Sequence, residues 1–201
     1  MKICNHPHER SFINYPWVYW DDSFSIDELS AIDTMFSHKD LMRAEVGYIP
    51  GNVDEEYRRS NISWIYRDPE NSWIFERMNW AAEQINNNWY CMDLNGYSSF
   101  QWTEYDAEDN GEYVAHMDLQ LLYDNSKDGI RKLSLALLIS DPEVDFDGGD
   151  FEFSDGEDWH KMEAKKGRII AFPSWIIHRV RPVTKGHRKS LVTWVTGPKF
   201  R

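Results

Sequence analysis

The chain has 201 residues, of which 41% are hydrophobic and 15% aromatic, including ten tryptophans. This length suits one domain spanning 1–201, in which about 70% of the unfolded chain's surface is buried on folding. With 22 Lys+Arg against 34 Asp+Glu the formal charge is −12, which argues against nucleic-acid partners, because that affinity comes largely from neutralising phosphates.

The first segment, MKICNHPHERSF, lacks the apolar run of a secretion signal, and no stretch approaches the length of a membrane span. Cys4 and Cys91 are too few for a disulfide framework or a cysteine-based zinc site and suit a reduced compartment, so a cytoplasmic protein is expected. Ser25 followed by Glu28 reads as a capping box opening a helix through Ile26, Leu29, Ile32 and Phe36. A strand is expected over 58–66, with Ile62, Trp64 and Tyr66 on one face. Arg58 and Arg59 then read as a solvated strand entrance, the alternative being approach to a substrate or an acidic group. After Pro69, the stripe Ile74, Met78, Ala81 and Ile85 predicts a second helix that buries against a sheet.

Beyond Asn95-Gly96 the pattern turns to strands: Ser98–Tyr105, Tyr113–Leu119, Lys132–Ile139, Asp150–Phe153, Arg168–Phe172, Ile176–Arg181 and Lys189–Val195. Asp147-Gly148-Gly149-Asp150 and Lys166-Gly167 read as turns between them. The fold class is therefore mainly β, a sandwich or distorted barrel, with residues 1–95 supporting a main β region at 96–201. Ten tryptophans exceed what a small core hides, so some are expected in a groove or contact surface; Trp64, Trp102 and Trp175 are candidates, with packing as the alternative for each.

Residues two apart on a strand face the same side, so His116 and Asp118 can point together into the barrel while Met117 points away. His178 lies in a later apolar segment and can arrive from across it. Two imidazoles and one carboxylate suit ferrous iron and leave positions open for small ligands, although zinc can use the same atoms. Read alone, His-x-Asp is a weak motif and His178 is explained by a structural hydrogen bond; the ordered set carries the signal. His6, His8, His38, His160 and His187 read as surface or local hydrogen-bonding residues. Arg188 and Ser190 share a face of the last strand, where a guanidinium can grip a carboxylate through two charge-assisted bonds; a solvated strand end is the alternative. Trp194 reads as core packing.

With His116-x-Asp118, Gly148-Gly149, Gly167, Phe172-Pro173-Ser174, His178-x-Val180, Pro182-Val183 and Arg188-x-Ser190 in that order, the chain resembles the iron- and 2-oxoglutarate-dependent dioxygenases, particularly the prolyl-hydroxylase-like branch. The resemblance covers about residues 98–196 and implies a double-stranded β-helix, a distorted jelly roll, buttressed by N-terminal helices. It implies that His116, Asp118 and His178 ligate iron, that Arg188 binds the distal carboxylate of 2-oxoglutarate with Ser190 assisting, and that Tyr105 lies near the cosubstrate. Where the family often carries a second tyrosine before the Gly-Gly turn, this chain reads Lys132-Leu-Ser-Leu-Ala-Leu-Leu138, and Ser134 or Tyr105 is expected to compensate. Tyr113 is a candidate for the approach to the metal, Arg131 reads as a surface charge, and Trp175 is expected at the pocket rim.

The implied activity uses Fe(II), 2-oxoglutarate and dioxygen to hydroxylate an aliphatic carbon, with a prolyl residue of a peptide or protein as the favoured substrate and small organic molecules as the other option. Residues 124–129 are a candidate loop over the entrance. Two other classes stay open at the level of residues: a metal-dependent hydrolase using the same ligands, and a noncatalytic jelly-roll module that binds a peptide or protein. Oligomeric state is not legible.

Overall fold

Two antiparallel sheets share a core, and the pleat of the larger one decides what lies on each of its sides. The computed structural model describes residues 16–37, 39–47, 51–120, 129–142 and 144–199. The larger sheet contains β1 (Val18–Trp20), β2 (Met42–Arg43), β3 (Asn61–Tyr66), β4 (Ser99–Asp106), β6 (Ile130–Leu138), β7 (Phe146–Gly148), β10 (Ile169–Pro173) and β12 (Val183–Gly197). Its order is β1-β10-β6-β12-β4-β3-β2, with β7 paired to β12. The smaller sheet, β5 (Tyr113–His116), β11 (His178–Val180), β8 (Phe151–Ser154) and β9 (Trp159–Lys161), runs β5-β11-β8-β9. This is the mainly β, distorted jelly roll expected, with helices packed on its outer face.

Helix α1 (Ile26–Phe36) starts at the expected capping box: the Ser25 hydroxyl accepts from the Glu28 amide at 3.2 Å, and the Ser25 amide donates back to the Glu28 carboxylate at 2.7 Å. The four residues of the stripe predicted for α2 (Ser72–Ile85) are all fully buried. Both helices lie on Phe100, Trp102, Leu133, Leu135, Leu137, Ile169, Ala171, Leu191 and Val195, which project from alternate positions of the larger sheet. The intervening positions face the smaller sheet, where Phe146, Phe151, Phe153, Ile170 and Phe172 form a second core. Trp102 belongs to the first core, not to a groove.

Strands β1, β2, β7 and β9 have two or three residues each and carry too little alternation to be read from sequence. After Ile85 the helix widens into a π turn over Asn86–Tyr90 and stops at Cys91, whose φ of 52° is left-handed. Cys4, His6, His8, His38 and most of the candidate entrance loop, including Lys127, lie outside the described residues. Among the described residues no helix is long and apolar enough to cross a membrane.

One ion pair ties β1 to β10. Arg168, buried beneath Tyr19 with its guanidinium 4.1 Å from the ring centre, bonds both oxygens of Asp21 at 2.8 and 2.9 Å. The Arg168 bond, helped by Lys165, outweighs burial and holds the Asp21 carboxyl below the usual carboxylate range. A carboxyl depressed in the native state stabilises above its unfolded pKa, and that contribution is lost as pH falls through the lowered native value. Asp21→Asn should therefore cost about 1–2 kcal/mol at pH 7. In urea titrations the gap from the parent chain should narrow as the pH falls below about 4; a gap independent of pH would assign the loss to packing.

Candidate metal centre

Strands β5 and β11 pair antiparallel with His116 directly opposite His178. The pleat turns Met117 outward, where it is half exposed, and returns Asp118 inward beside His116. Just beyond, the Leu119 amide donates to the Ser174 carbonyl at 2.8 Å, pinning the chain that carries Asp118. All three side chains are buried, and one ligand atom from each lies within 4.8 Å of the others. The Asp118 oxygens stand 3.8 Å from His116 Nε2 and 3.6 Å from His178 Nε2.

Hydrogen bonds orient these groups for a cation. His116 Nδ1 lies 2.8 Å from the Val114 carbonyl, and His178 Nδ1 lies 3.0 Å from the Ile176 carbonyl. A carbonyl only accepts, so each Nδ1 donates and each Nε2 keeps its lone pair for the centre. Burial, with the His178 imidazole beside it, pushes His116 down to about 3, so it is neutral at ordinary pH. Burial alone would raise Asp118, but His178, His116, Arg131 and the Ser134 hydroxyl outweigh it and hold the carboxyl below its usual range. The Ser134 hydroxyl donates to Asp118 Oδ2 at 2.7 Å and lies 2.9 Å from the Ser174 hydroxyl. Such a site offers one bare Nε2 from each imidazole and one carboxylate oxygen.

The triad opens into a cavity of about 390 Å³. Tyr113 stacks on His116 with ring centres 3.4 Å apart and lines this cavity, as its candidate role required. Arg188, Ser190 and Tyr105 also line it. Arg188 is buried: its Nη1 reaches the Ser190 hydroxyl at 3.5 Å, its Cζ lies 5.8 Å from the Tyr105 ring centre, and no described carboxylate pairs with it. Burial lowers its affinity for the proton, countered by Tyr105 and Asp150. The Gly-Gly turn makes room for this side chain. At Gly149, φ is +61° and a Cβ would fall 2.9 Å from Arg188 Cδ and 3.0 Å from Val183 Cγ2.

Several expectations change. Ser134, a candidate to compensate for the missing tyrosine, lines the cavity and donates to Asp118. Trp194 lines the cavity instead of filling the core, since it shares its face with Ser190 and not with Leu191. Arg131 is no surface charge: it lines the cavity with its guanidinium 3.9 Å from the Trp194 ring centre. Arg58, read as solvated, is 6% exposed and lines the same cavity, whereas Arg59 pairs with Glu112 at the surface of the strand pair. Trp64 lies at the cavity rim, and Trp175, half exposed, does not line it. His160 and His187 pair with Asp155 and Asp106 as local groups. Gln101 and Thr103 were missed as cavity residues, although their alternation with Phe100 and Trp102 marks the polar face of β4.

A jelly roll holding a buried His-Asp-His set beside a buried arginine defines the class of fold and site. Residues 100–196 match the 2OG-Fe(II) oxygenase superfamily. A PKHD-type hydroxylase of Aliarcobacter butzleri is 37% identical over 90 residues, covering 44% of this chain and 39% of the relative. One from Synechococcus sp. (strain JA-2-3B'a(2-13)) is 40% identical over 85 residues, covering 41% and 37%. The matched region thus spans less than two fifths of these relatives' own length. Among solved structures, a Pseudomonas putida prolyl-4-hydroxylase superimposes with a TM-score of 0.69 at 20% identity, over 92% of this chain and 94% of that one. A Trichoplax adhaerens prolyl hydroxylase, solved with a hypoxia inducible factor peptide fragment, gives 0.69 at 15% identity over 90% and 83%. Residues 100–196 thus resemble the 2OG-Fe(II) oxygenases, and the chain shares the fold of the solved prolyl hydroxylases.

Removing a ligand and removing its support should differ in degree. By Co(II) titration calorimetry, His178→Ala should lose at least about 100-fold in affinity and Ser134→Ala about tenfold, both with unchanged circular dichroism. Full Co(II) affinity in folded His178→Ala would remove it from the centre.

Proposed function

We propose that the chain is an Fe(II)- and 2-oxoglutarate-dependent dioxygenase that hydroxylates an aliphatic carbon, with a prolyl residue in a peptide or protein as the favoured substrate. We read 1–201 as a single oxygenase domain, with 1–95 the support and 96–201 the metal-binding jelly roll. The observation that carries this reading is one cavity containing both the imidazole and carboxylate triad and a buried guanidinium with which no described carboxylate pairs.

The donor set fits ferrous iron: His116 Nε2, His178 Nε2 and Asp118 supply three ligands from one side, leaving the cavity side for exchangeable ligands. Bound iron would supply the activation of dioxygen, coupled to oxidative decarboxylation of 2-oxoglutarate to succinate and carbon dioxide. Arg188 would take the distal carboxylate through a charge-assisted pair, with the Ser190 hydroxyl beside it. Tyr105 closes that end of the cavity. Fixing the far end in this way orients the 2-oxo acid end toward the triad, and this is positioning, not acid-base chemistry. Ser134 and the two backbone carbonyls hold the ligands in their binding tautomers and orientations. No protein nucleophile is required. The metal-dependent hydrolase would need the same triad but leaves the buried charge of Arg188 without a ligand. The fold likeness to a prolyl hydroxylase solved with a peptide supports a peptidyl substrate.

Anaerobic titration with Fe(II) and 2-oxoglutarate should develop a visible metal-to-cosubstrate charge-transfer band. Arg188→Met should raise the 2-oxoglutarate concentration needed for half-development by about 100-fold, and His178→Ala should abolish the band together with substrate-coupled succinate. Parent-like succinate formation by folded His178→Ala would overturn the assignment.

A further inference from the structure

Arg58 is the second buried guanidinium of the cavity, and the activity proposed above does not use it. Its Nε donates to the Ser60 hydroxyl at 2.8 Å and its Nη2 donates to Gln101 Oε1 at 2.9 Å. Its Cζ lies 4.6 Å from the centre of the Tyr113 ring, which in turn stacks on His116. Both polar partners are neutral, and no described carboxylate pairs with it; Glu45, at the cavity rim, is exposed and outside ion-pair reach. A guanidinium has five N–H donors and stays charged in proteins, so Arg58 retains unspent donors and an uncompensated charge one aromatic ring from a metal ligand. In a chain of net charge −12, a buried cation without an acid needs a reason.

Its neighbour points the same way. Gln101 Oε1 accepts from Arg58 and, at 3.3 Å, from the Thr103 hydroxyl, which fixes the amide so that its nitrogen, bonded to no described residue, is left for the cavity. Arg58 and Gln101 therefore present only donors. Arg188 shares none of these partners: it is held by Ser190 and Tyr105. The two cations thus make separate anion positions around one triad.

We propose that Arg58, with the Gln101 amide, forms a subsite for a carboxylate on the primary substrate, making it a specificity-determining residue distinct from cosubstrate binding. The carboxylate is either an acidic side chain next to the reacting residue in a peptide or the free α-carboxylate of a small substrate. The inference rests on the proposed dioxygenase reading, so the experiment separates the two. The full chain is first titrated anaerobically with Fe(II) and 2-oxoglutarate: a parent chain without the charge-transfer band overturns the functional reading itself. Arg58→Gln should keep the band, which also certifies its fold; selective loss of the band in this variant overturns the subsite.

The full chain is then loaded with Mn(II) and N-oxalylglycine, a nonreactive 2-oxoglutarate isostere that fills the Arg188 site. Proton relaxation of added probes by Mn(II) reads binding near the triad. One pair is N-acetylproline against N-acetylprolinamide; the other is a doubly blocked aspartyl-prolyl dipeptide against its asparaginyl counterpart. The carboxylate member of at least one pair should bind about tenfold tighter than its amide. The first pair reports an α-carboxylate and the second an acidic side chain. Arg58→Gln should bring that ratio to within about twofold, and Arg58→Lys, which keeps the charge, should retain part of it. Equal binding within both pairs, no binding of any probe, or a preference that survives in Arg58→Gln overturns the proposal.

Discussion

Everything in this structure depends on the larger sheet being buried on both faces with opposite demands. Successive side chains point to opposite sides of a strand, so one face must satisfy two helices while the other must build a cavity. On β6, Leu133, Leu135 and Leu137 go to the helices and Ser134 goes to the triad; on β12, Leu191 and Val195 go to the helices and Arg188, Ser190 and Trp194 go to the cavity. A slip of one residue would exchange the two sets, placing leucines in the cavity and an arginine under the helices. Hydrophobic burial against α1 and α2 thereby sets the register of the functional groups.

The electrostatics of the cavity follow from this burial. Charges there need partners. His116 is neutral because burial disfavours its charged form, and the backbone carbonyls at Val114 and Ile176 fix which nitrogen of each ring is bare. Asp118 keeps its charge through its neighbours. Arg188 and Arg58 are buried with no described carboxylate paired to either. The second hydrophobic core sits directly against the triad: Phe151, Phe153 and Phe172 pack on the His178 ring.

The legible parts of the sequence were the ones whose physics is local. A capping box and a helical stripe depend on residues three or four apart, and both helices appeared where expected. His116 and Asp118 were legible because a strand has period two. Arg58 was not, since its burial is decided by Gln101 and Tyr113, far along the chain and brought to it by pairing with β4 and β5. Trp194 was misassigned for a related reason: its face was legible, but what covers that face depends on distant pairing that no short window contains. The edge strands were too short to leave a pattern. The resemblance placed Arg188 correctly in the cavity, while the room left for it by Gly149 required coordinates.

The central claim is that one cavity divides between a metal and the far end of a dicarboxylate. A crystal structure of the full chain grown anaerobically with Mn(II) and 2-oxoglutarate tests it most directly. The account expects a single ion bonded to His116 Nε2, His178 Nε2 and Asp118, with the distal carboxylate of 2-oxoglutarate paired to Arg188. A metal held elsewhere, or a cosubstrate whose distal carboxylate leaves Arg188 unpaired, would contradict it.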